Sequence, residues 1–269
     1  MYSAKSDKDK FYTKESVAIQ CISLLQSSPY DCVVEPSAGN GVFSNNINHH
    51  DIIALDIEPD HPSILQQDWF DFVLSQQYNN ILVIGNPPFG KRNALSKAFI
   101  NKAISLNAQT IAFILPDVYN KHTLQSIFPK EYRLIKKFKL PTNSFTIDGE
   151  DFNLPCTFFI WDKSEGVDLR YDVNQYKTDD FTFVNKSLAD SNCFFILGAS
   201  PNTVTECSDV VSTNRGYYIK PQLKCKKELV TLFKAIKFNG QSSASGNVAW
   251  LTKTEIIKNY LESFHNTLD

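Results

Sequence analysis

Charge of one sign is missing from this chain: 27 Lys and Arg stand against 29 Asp and Glu, a formal net charge of −2. No global basic field therefore advertises nucleic acid, although local patches rather than net charge decide contact. Paired cysteines are missing too. Cys21, Cys32, Cys156, Cys193, Cys207 and Cys225 form no CxxC pair, and no histidine sits at zinc-finger spacing from them. They read as free thiols of a reducing compartment, mostly small buried hydrophobes. His49, His50, His61, His122 and His265 make no metal or triad pattern, so no metal is assigned. Long apolar runs are absent: IAFIL is far too short to span a bilayer. The charged start, MYSAKSDKDKFYTK, has no apolar signal core. These absences point to a soluble intracellular protein of the cytoplasm or nucleus, with no membrane partner.

What is present is an ordinary globular composition, 42% hydrophobic and 21% charged, with 20 Phe and 11 Tyr but only 10 Gly. The length of 269 residues suffices for one large domain, or for a core plus a smaller one. Thr13 is placed to N-cap a helix over about 14–26, with Val17, Cys21 and Leu24 on one face and Ser27-Ser28-Pro29 as its stop. Strand-like runs follow at CVVE (32–35), DIIALDI (51–57), a short segment before Gln67, NILVIG (80–85), TIAFILP (110–116), YRLIKKFKL (132–140) and CTFFIWD (156–162). NGVFSNNIN (40–48) should open a helix, and Asn93 should cap another over 94–106. Such alternation predicts an α/β, Rossmann-like, doubly wound sheet of seven mostly parallel strands over residues 1–163. Beyond 163 the text turns polar and irregular. FFILGAS and GYYIKP read as strands. KKELVTLFKAIKF and TKTEIIKNYLESF read as helices, parted by a flexible NGQSSASGN at 239–247. Residues 164–269 are thus expected to form a small C-terminal α/β extension for target recognition or docking.

VVEPSAGNGVFS (33–44) puts Gly39 and Gly41 directly after a strand, where glycine lets the backbone approach a ligand. Glu35 stands just before them. It would repel a pyrophosphate, but suits a ligand carrying an ammonium or sulfonium. Asp56 closes the next strand, where such folds hold ribose hydroxyls; a solvated strand-end acid is the alternative. Asp68, followed by Trp69 and Phe70, reads either as an acceptor for an adenine amino group beside a ring, or as a helix cap with core aromatics.

In this order, VVEPSAGNG, ALDIEP, QQDWF and NPPF, the chain resembles the class I S-adenosylmethionine-dependent methyltransferases. More narrowly it resembles their exocyclic-amine branch, whose adenine-N6 members carry an (N/D)PP(Y/F) signature. The segment DKFYTK is similar to one that precedes the glycine turn in many adenine-N6 DNA enzymes, with Lys14 where proline is common. The resemblance covers roughly residues 8–163. It implies S-adenosyl-L-methionine as cofactor, held by Tyr12, Thr13, Glu35, Ser37, Ala38, Gly39, Gly41, Asp56, Ile57, Asp68 and Trp69. It implies a catalytic corner of Asn86, Pro87, Pro88 and Phe89.

That corner has a physical logic. An adenine amino nitrogen is a poor nucleophile, because its lone pair is delocalised into the ring. The Asn86 side-chain oxygen and the Pro87 carbonyl can accept its two N–H bonds and favour a more tetrahedral nitrogen, by dipoles already in place. Each proline fixes its own φ and restricts the residue before it, and Phe89 offers a flat face to a base. By the same resemblance a second ring, Phe152 or its rival Phe145, walls the base from the loop PTNSFTIDGEDFNLP. Asp148, Glu150 and Asp151 read as a solvated loop. Lys91 and Arg92 after the turn can meet a flanking phosphate, and 132–139 and 220–228 are further basic stretches; each is more often a solvated face than a contact. The favoured function is DNA adenine-N6 methylation. The alternatives are an RNA amino-methyltransferase (adenine N6 or guanine N2), a protein glutamine methyltransferase, or an inactive nucleic-acid-binding subunit. Since 164–269 is small for reading sequence, a partner subunit for target recognition, or loose specificity, is expected.

Overall fold

The computed structural model describes residues 11–25, 30–172, 176–207, 216–238 and 251–265. Ser27-Ser28-Pro29 and the linker 239–247 lie outside them. The chain divides into two compact units, Met1–Arg170 and Tyr171–Asp269.

In the first unit the strands are β2 (Cys32–Pro36), β3 (Ile52–Asp56), β4 (Leu65–Gln66), β5 (Ile81–Gly85), β6 (Thr110–Pro116), β7 (Arg133–Lys139) and β10 (Cys156–Asp162). They make one seven-stranded sheet in the order β4-β3-β2-β5-β6-β10-β7. Four pairings are parallel, and β10 runs antiparallel to both β6 and β7. Every residue of β2, β5, β6 and β10 is buried, as expected of strands covered on both faces. Alternate side chains feed two cores. Val34, Val83, Ile111, Phe113 and Phe159 enter one; Val33, Leu82, Ala112, Ile114 and Phe158 enter the other. The chain winds outward in both directions from the β2–β5 junction, which makes that junction the switch point of the sheet. At the β7 edge, Lys136, Lys137 and Lys139 are exposed. Charges on an edge strand discourage pairing with another chain, which accounts for this basic stretch.

Several local expectations change. Helix α1 spans Glu15–Ile22, and Thr13 does not cap it. Thr13 instead belongs to β1 (Tyr12–Thr13), which pairs antiparallel with β8 (Phe145–Ile147); β8 in turn pairs with β9 (Glu150–Phe152). This small sheet was unexpected. Its turn carries positive φ at Asp148 (51°) and Gly149 (83°), the requirement of an Asp-Gly type I′ hairpin. The stretch 40–48 forms only a 3-10 turn, Ser44–Asn46. Its polar side chains bond the backbone locally: Asn46 Nδ2 donates to Val42 O at 2.9 Å, and Asn45 Nδ2 to Asn40 O at 3.2 Å. Such bonds compete with helix formation. Helix α2 is Ala94–Ser105, but Asn93 before it is left-handed and makes no side-chain cap bond. Helix α3 is the short His122–Gln125. Residues 164–170 stay with this unit: Asp168 Oδ1 accepts from the Leu134 amide at 3.0 Å, and the Arg170 guanidinium donates to Phe128 O at 2.9 Å.

The second unit has its own core. Strands β11 (Phe181–Val184), β12 (Phe194–Leu197), β13 (Ser200–Glu206) and β14 (Gly216–Pro221) form an antiparallel sheet in the order β11-β14-β12-β13. Phe181, Phe194, Ile196 and Ile219 pack with Leu229 and Phe233 of α4 (Lys226–Ala235), and with Ile256 and Tyr260 of α5 (Lys253–His265). Thr252 and Glu255 form a reciprocal capping box at the start of α5. Three of the four cations of 220–228 are spoken for: Lys220 pairs with Asp190, Lys224 with Glu228 and Lys226 with Glu206, whereas Lys227 is exposed. Among the described residues no helix is long and apolar enough to cross a membrane.

Candidate active site

The carboxyl ends of β2, β3 and β5 meet at the switch point, and the marked residues gather there. The glycine turn after β2 is left-handed at Ser37 (φ 55°), Gly39 (56°) and Gly41 (77°). Two of these three positions carry glycine, which adopts such φ without a Cβ penalty. The Ala38 amide donates to Leu55 O at 3.0 Å, tying the turn to β3. Asp56, buried, braces it from below: Oδ2 accepts from the Gly39 amide and Oδ1 from the Glu58 amide, both at 2.8 Å. Glu35 braces its far side, accepting from the Ser44 amide at 2.7 Å and the Phe43 amide at 3.3 Å. Burial, opposed by the bonds from Ser44 and Phe43 and aided by the nearby Asp56, pushes the Glu35 carboxyl up to about 7. Ile57, next to Asp56, leaves an apolar side chain 56% exposed at the mouth of the turn.

Strand β1 lies across the turn. Burial and the hydrogen bond to Asp60 push the Tyr12 phenol up to about 12. The Thr13 hydroxyl is buried and has no hydrogen-bond partner among the described residues. On the β5 side, Pro87 is buried, Pro88 exposed and Phe89 half-buried. Ser37 Oγ lies 2.6 Å from Pro36 O and 3.4 Å from Asn86 O, so one hydroxyl sits between the turn and the corner. Asn86 Oδ1 is likewise buried without a partner among the described residues. Buried polar atoms are almost always paired. Two unpaired oxygens, one on each flank of the glycine turn, are what a site for an ammonium- or amine-bearing ligand would present. The residues present therefore fit a sulfonium amino-acid donor and an amine acceptor.

Other marked residues point elsewhere. Trp69 is buried in the core, stacked with Phe72 and Phe99, and its Nε1 donates to Phe99 O at 3.4 Å. Its ring has no face left for a base. Asp68 is exposed and accepts from the Phe70 amide at 2.8 Å, so this pair follows the turn-cap reading. Phe145 is wholly buried. Phe152 is half-buried and stacks on Phe11, with centroids 5.1 Å apart. Lys91 and Arg92 are exposed, with no ion pair among the described residues, and Arg92 is left-handed (φ 55°). Sequence reasoning missed Phe11, Asp60 and the buried Asp117. Asp117 follows β6, where it accepts from Thr157 Oγ1 and pairs with Lys139. Only the Asp-Gly turn behind Phe152 carried a readable signal.

No family model matches the chain. Two curated relatives are the type II methyltransferases M.HincII of Haemophilus influenzae and M.HindII of its strain Rd. Each is 28% identical over 101 residues, about 35% of this chain. The chain spans about a fifth of the length of these relatives. Among solved structures, the 23S rRNA methyltransferase ErmE aligns at a TM-score of 0.42 and 11% identity, covering 58% of this chain and 73% of that one. The N-methyltransferase NodS of Bradyrhizobium japonicum aligns at 0.39 and 14%, covering 55% and 94%. The strand order, the glycine turn after β2 and the NPPF corner after β5 resemble those of the class I S-adenosylmethionine-dependent methyltransferases of the exocyclic-amine type.

Proposed function

We propose that the chain is an S-adenosylmethionine-dependent N-methyltransferase that methylates the exocyclic amine of a nucleic-acid base, adenine N6 in DNA. The observation that carries this is the Asn86 side-chain oxygen, buried at the end of β5 and left without a partner among the described residues. In this reading the cofactor supplies an electrophilic methyl on a sulfonium. The chain's residues do the rest. Glu35 and Asp56 hold the glycine turn in shape by accepting its amides. Ionised Glu35 favours a cation beside it, and the Thr13 hydroxyl takes a polar group of the ligand. Asn86 Oδ1 and the Pro87 carbonyl accept the two N–H bonds of the amine, which localises its lone pair. The amine proton is lost after its nitrogen has become cationic, so no strong base is required at this site. Phe89 packs on the base, and Lys91 and Arg92 meet flanking phosphates. A base inside a duplex must leave the stack first, at a cost of a few kcal/mol.

The preference for DNA draws on the aromatic-Thr strand ahead of the glycine turn, and on the partial similarity to type II methyltransferases. A partner subunit that selects the target sequence belongs to the same proposal. Radiolabelled methyl transfer to DNA, RNA and protein pools, followed by nucleoside analysis, tests it. N6-methyladenine in DNA is the expected product. Label confined to RNA or protein would replace the substrate, and no transfer to any pool would remove the activity.

A further inference from the structure

One hydrogen bond at the glycine turn is made by a residue that none of the motifs contains. Asp60 lies in the loop after β3, and the Tyr12 hydroxyl donates to its Oδ2 at 2.7 Å. The Asp60 amide donates to the Gly39 carbonyl at 3.0 Å. A Cβ on Gly39 would stand 3.4 Å from the Tyr12 ring and 3.9 Å from Asp60 Oδ2. Phenol, carboxylate and turn therefore pack as one layer. The segment that carries Tyr12 is anchored a second time, on the hairpin. The Lys14 amide donates to Ser144 O at 3.0 Å, Lys14 Nζ pairs with Asp151 at 2.6 Å, and Tyr12 stands opposite Thr146 in the β1–β8 register. Residues 12–14 thus bridge from the glycine turn to the β8–β9 hairpin. Thr13, with its buried unpaired hydroxyl, sits in the middle of the span.

We propose that Asp60 is a positioning residue: by holding the Tyr12 phenol it fastens the strap 12–14 across the glycine turn, and so sets how fast the sulfonium donor enters and leaves. This rests on the reading that the turn holds that donor. The two anchors differ in kind. On the hairpin side there are ladder bonds, an ion pair and the Phe11–Phe152 stack. On the turn side the described residues show the Tyr12–Asp60 bond, at an exposed acid, and the packing of the Tyr12 ring against Gly39. A hydrogen bond to an exposed charged group holds well yet exchanges readily with water, so the strap opens at this end before it leaves the hairpin ladder. A passive loop tether would change the stability of the fold. A strap changes the exchange of the ligand beneath it.

The test uses the full chain and three variants. Tyr12→Phe and Asp60→Ala each remove the bond, while Asp60→Asn keeps an acceptor oxygen in place. Dissociation of S-adenosylmethionine is followed by stopped-flow displacement, and exchange of the residue-60 amide, which donates to the Gly39 carbonyl on the turn side, is followed in the chain alone. Tyr12→Phe and Asp60→Ala should each speed both processes about three- to tenfold, the span of one such bond. The double variant should be no faster than either single one, and Asp60→Asn should restore a rate near that of the wild type. A wild-type chain that binds the donor, with variants that release it at the unchanged rate, overturns the strap alone. So do effects that multiply in the double variant. A wild-type chain that binds no donor removes the reading of the turn as well. Should Asp60→Ala fail to fold by circular dichroism, Tyr12→Phe with the Asp60 amide exchange rate still decides.

Discussion

The Asn86 side-chain oxygen and the Glu35 carboxyl are each out of solvent for a different reason, and each makes its own prediction. Asn86 has an amide oxygen with nothing to accept from, so its value lies in what arrives. Asn86→Ala should lower methyl transfer at least about a hundredfold, the scale on which one pre-aimed dipole acts. Cofactor affinity measured by calorimetry should stay within a few-fold. Loss of both together would mean that the residue supports the fold rather than the reaction. Glu35 is the reverse case, an acid already engaged by two amides yet pushed from 4.5 up to about 7. The folded chain holds its proton where the unfolded chain has released it. Glu35 therefore contributes stability that is full below about pH 4.5 and is lost as pH rises to about 7. The loss amounts to roughly 3 kcal/mol. Urea unfolding from pH 5 to 8 should show this fall in the wild type and a flatter profile in Glu35→Gln. Parallel profiles would mean that Glu35 is ionised throughout.

At the level of elements, the β8–β9 hairpin places Phe152 and receives β1, and its turn depends on a glycine at φ 83°. A Cβ there meets nothing within 4 Å, so the cost of Gly149→Ala is purely conformational. It should be about 1 kcal/mol, and lower Tm by about 2–4 °C. A larger drop in cofactor affinity than in stability would tie the hairpin to the strap. This hairpin also shows where the sequence stopped being readable. The buried strands announced themselves as continuous apolar runs; TIAFILP and CTFFIWD became β6 and β10 to the residue. Asp148-Gly149 passed unread because the strands it joins are three residues each. Too little alternation survives at that length to mark a strand. The stretch 40–48 failed for the opposite reason: helical spacing was there, but Ser44, Asn45 and Asn46 spend their polar groups on the local backbone. At the site, motif order placed Asp56, Asn86 and the glycines together, since each ends a strand of one sheet. Trp69 left two readings open because an acid-aromatic pair looks the same before a ligand and before a core; its ring lies in the core. Asp60 gave no signal, because its role comes from a neighbour 48 residues away.

The whole chain joins two units whose cores share no residue, so cofactor and target binding should be separable. A chain ended after Arg170 should hold S-adenosylmethionine within a few-fold of the full protein, while its affinity for nucleic acid falls at least about tenfold. Salt then distinguishes the cations that still meet the backbone. A net charge of −2 leaves no long-range attraction to lean on, so binding must come from local cations. Lys91 and Arg92 are exposed beside the NPPF corner, whereas Lys220, Lys224 and Lys226 are already neutralised by acids. Removing a cation that neutralises one phosphate should flatten the plot of log affinity against log salt by about 0.9 on duplex DNA and about 0.7 on single strands. Replacing Lys91 and Arg92 by alanine should flatten it by about twice that amount, whereas replacing Lys220 and Lys224 should leave it unchanged. Measured on duplex and single-stranded oligonucleotides, the same pair of slopes reports which form of the strand the corner receives. An unaltered slope in the Lys91→Ala, Arg92→Ala chain would place the phosphate-binding cations away from the NPPF corner.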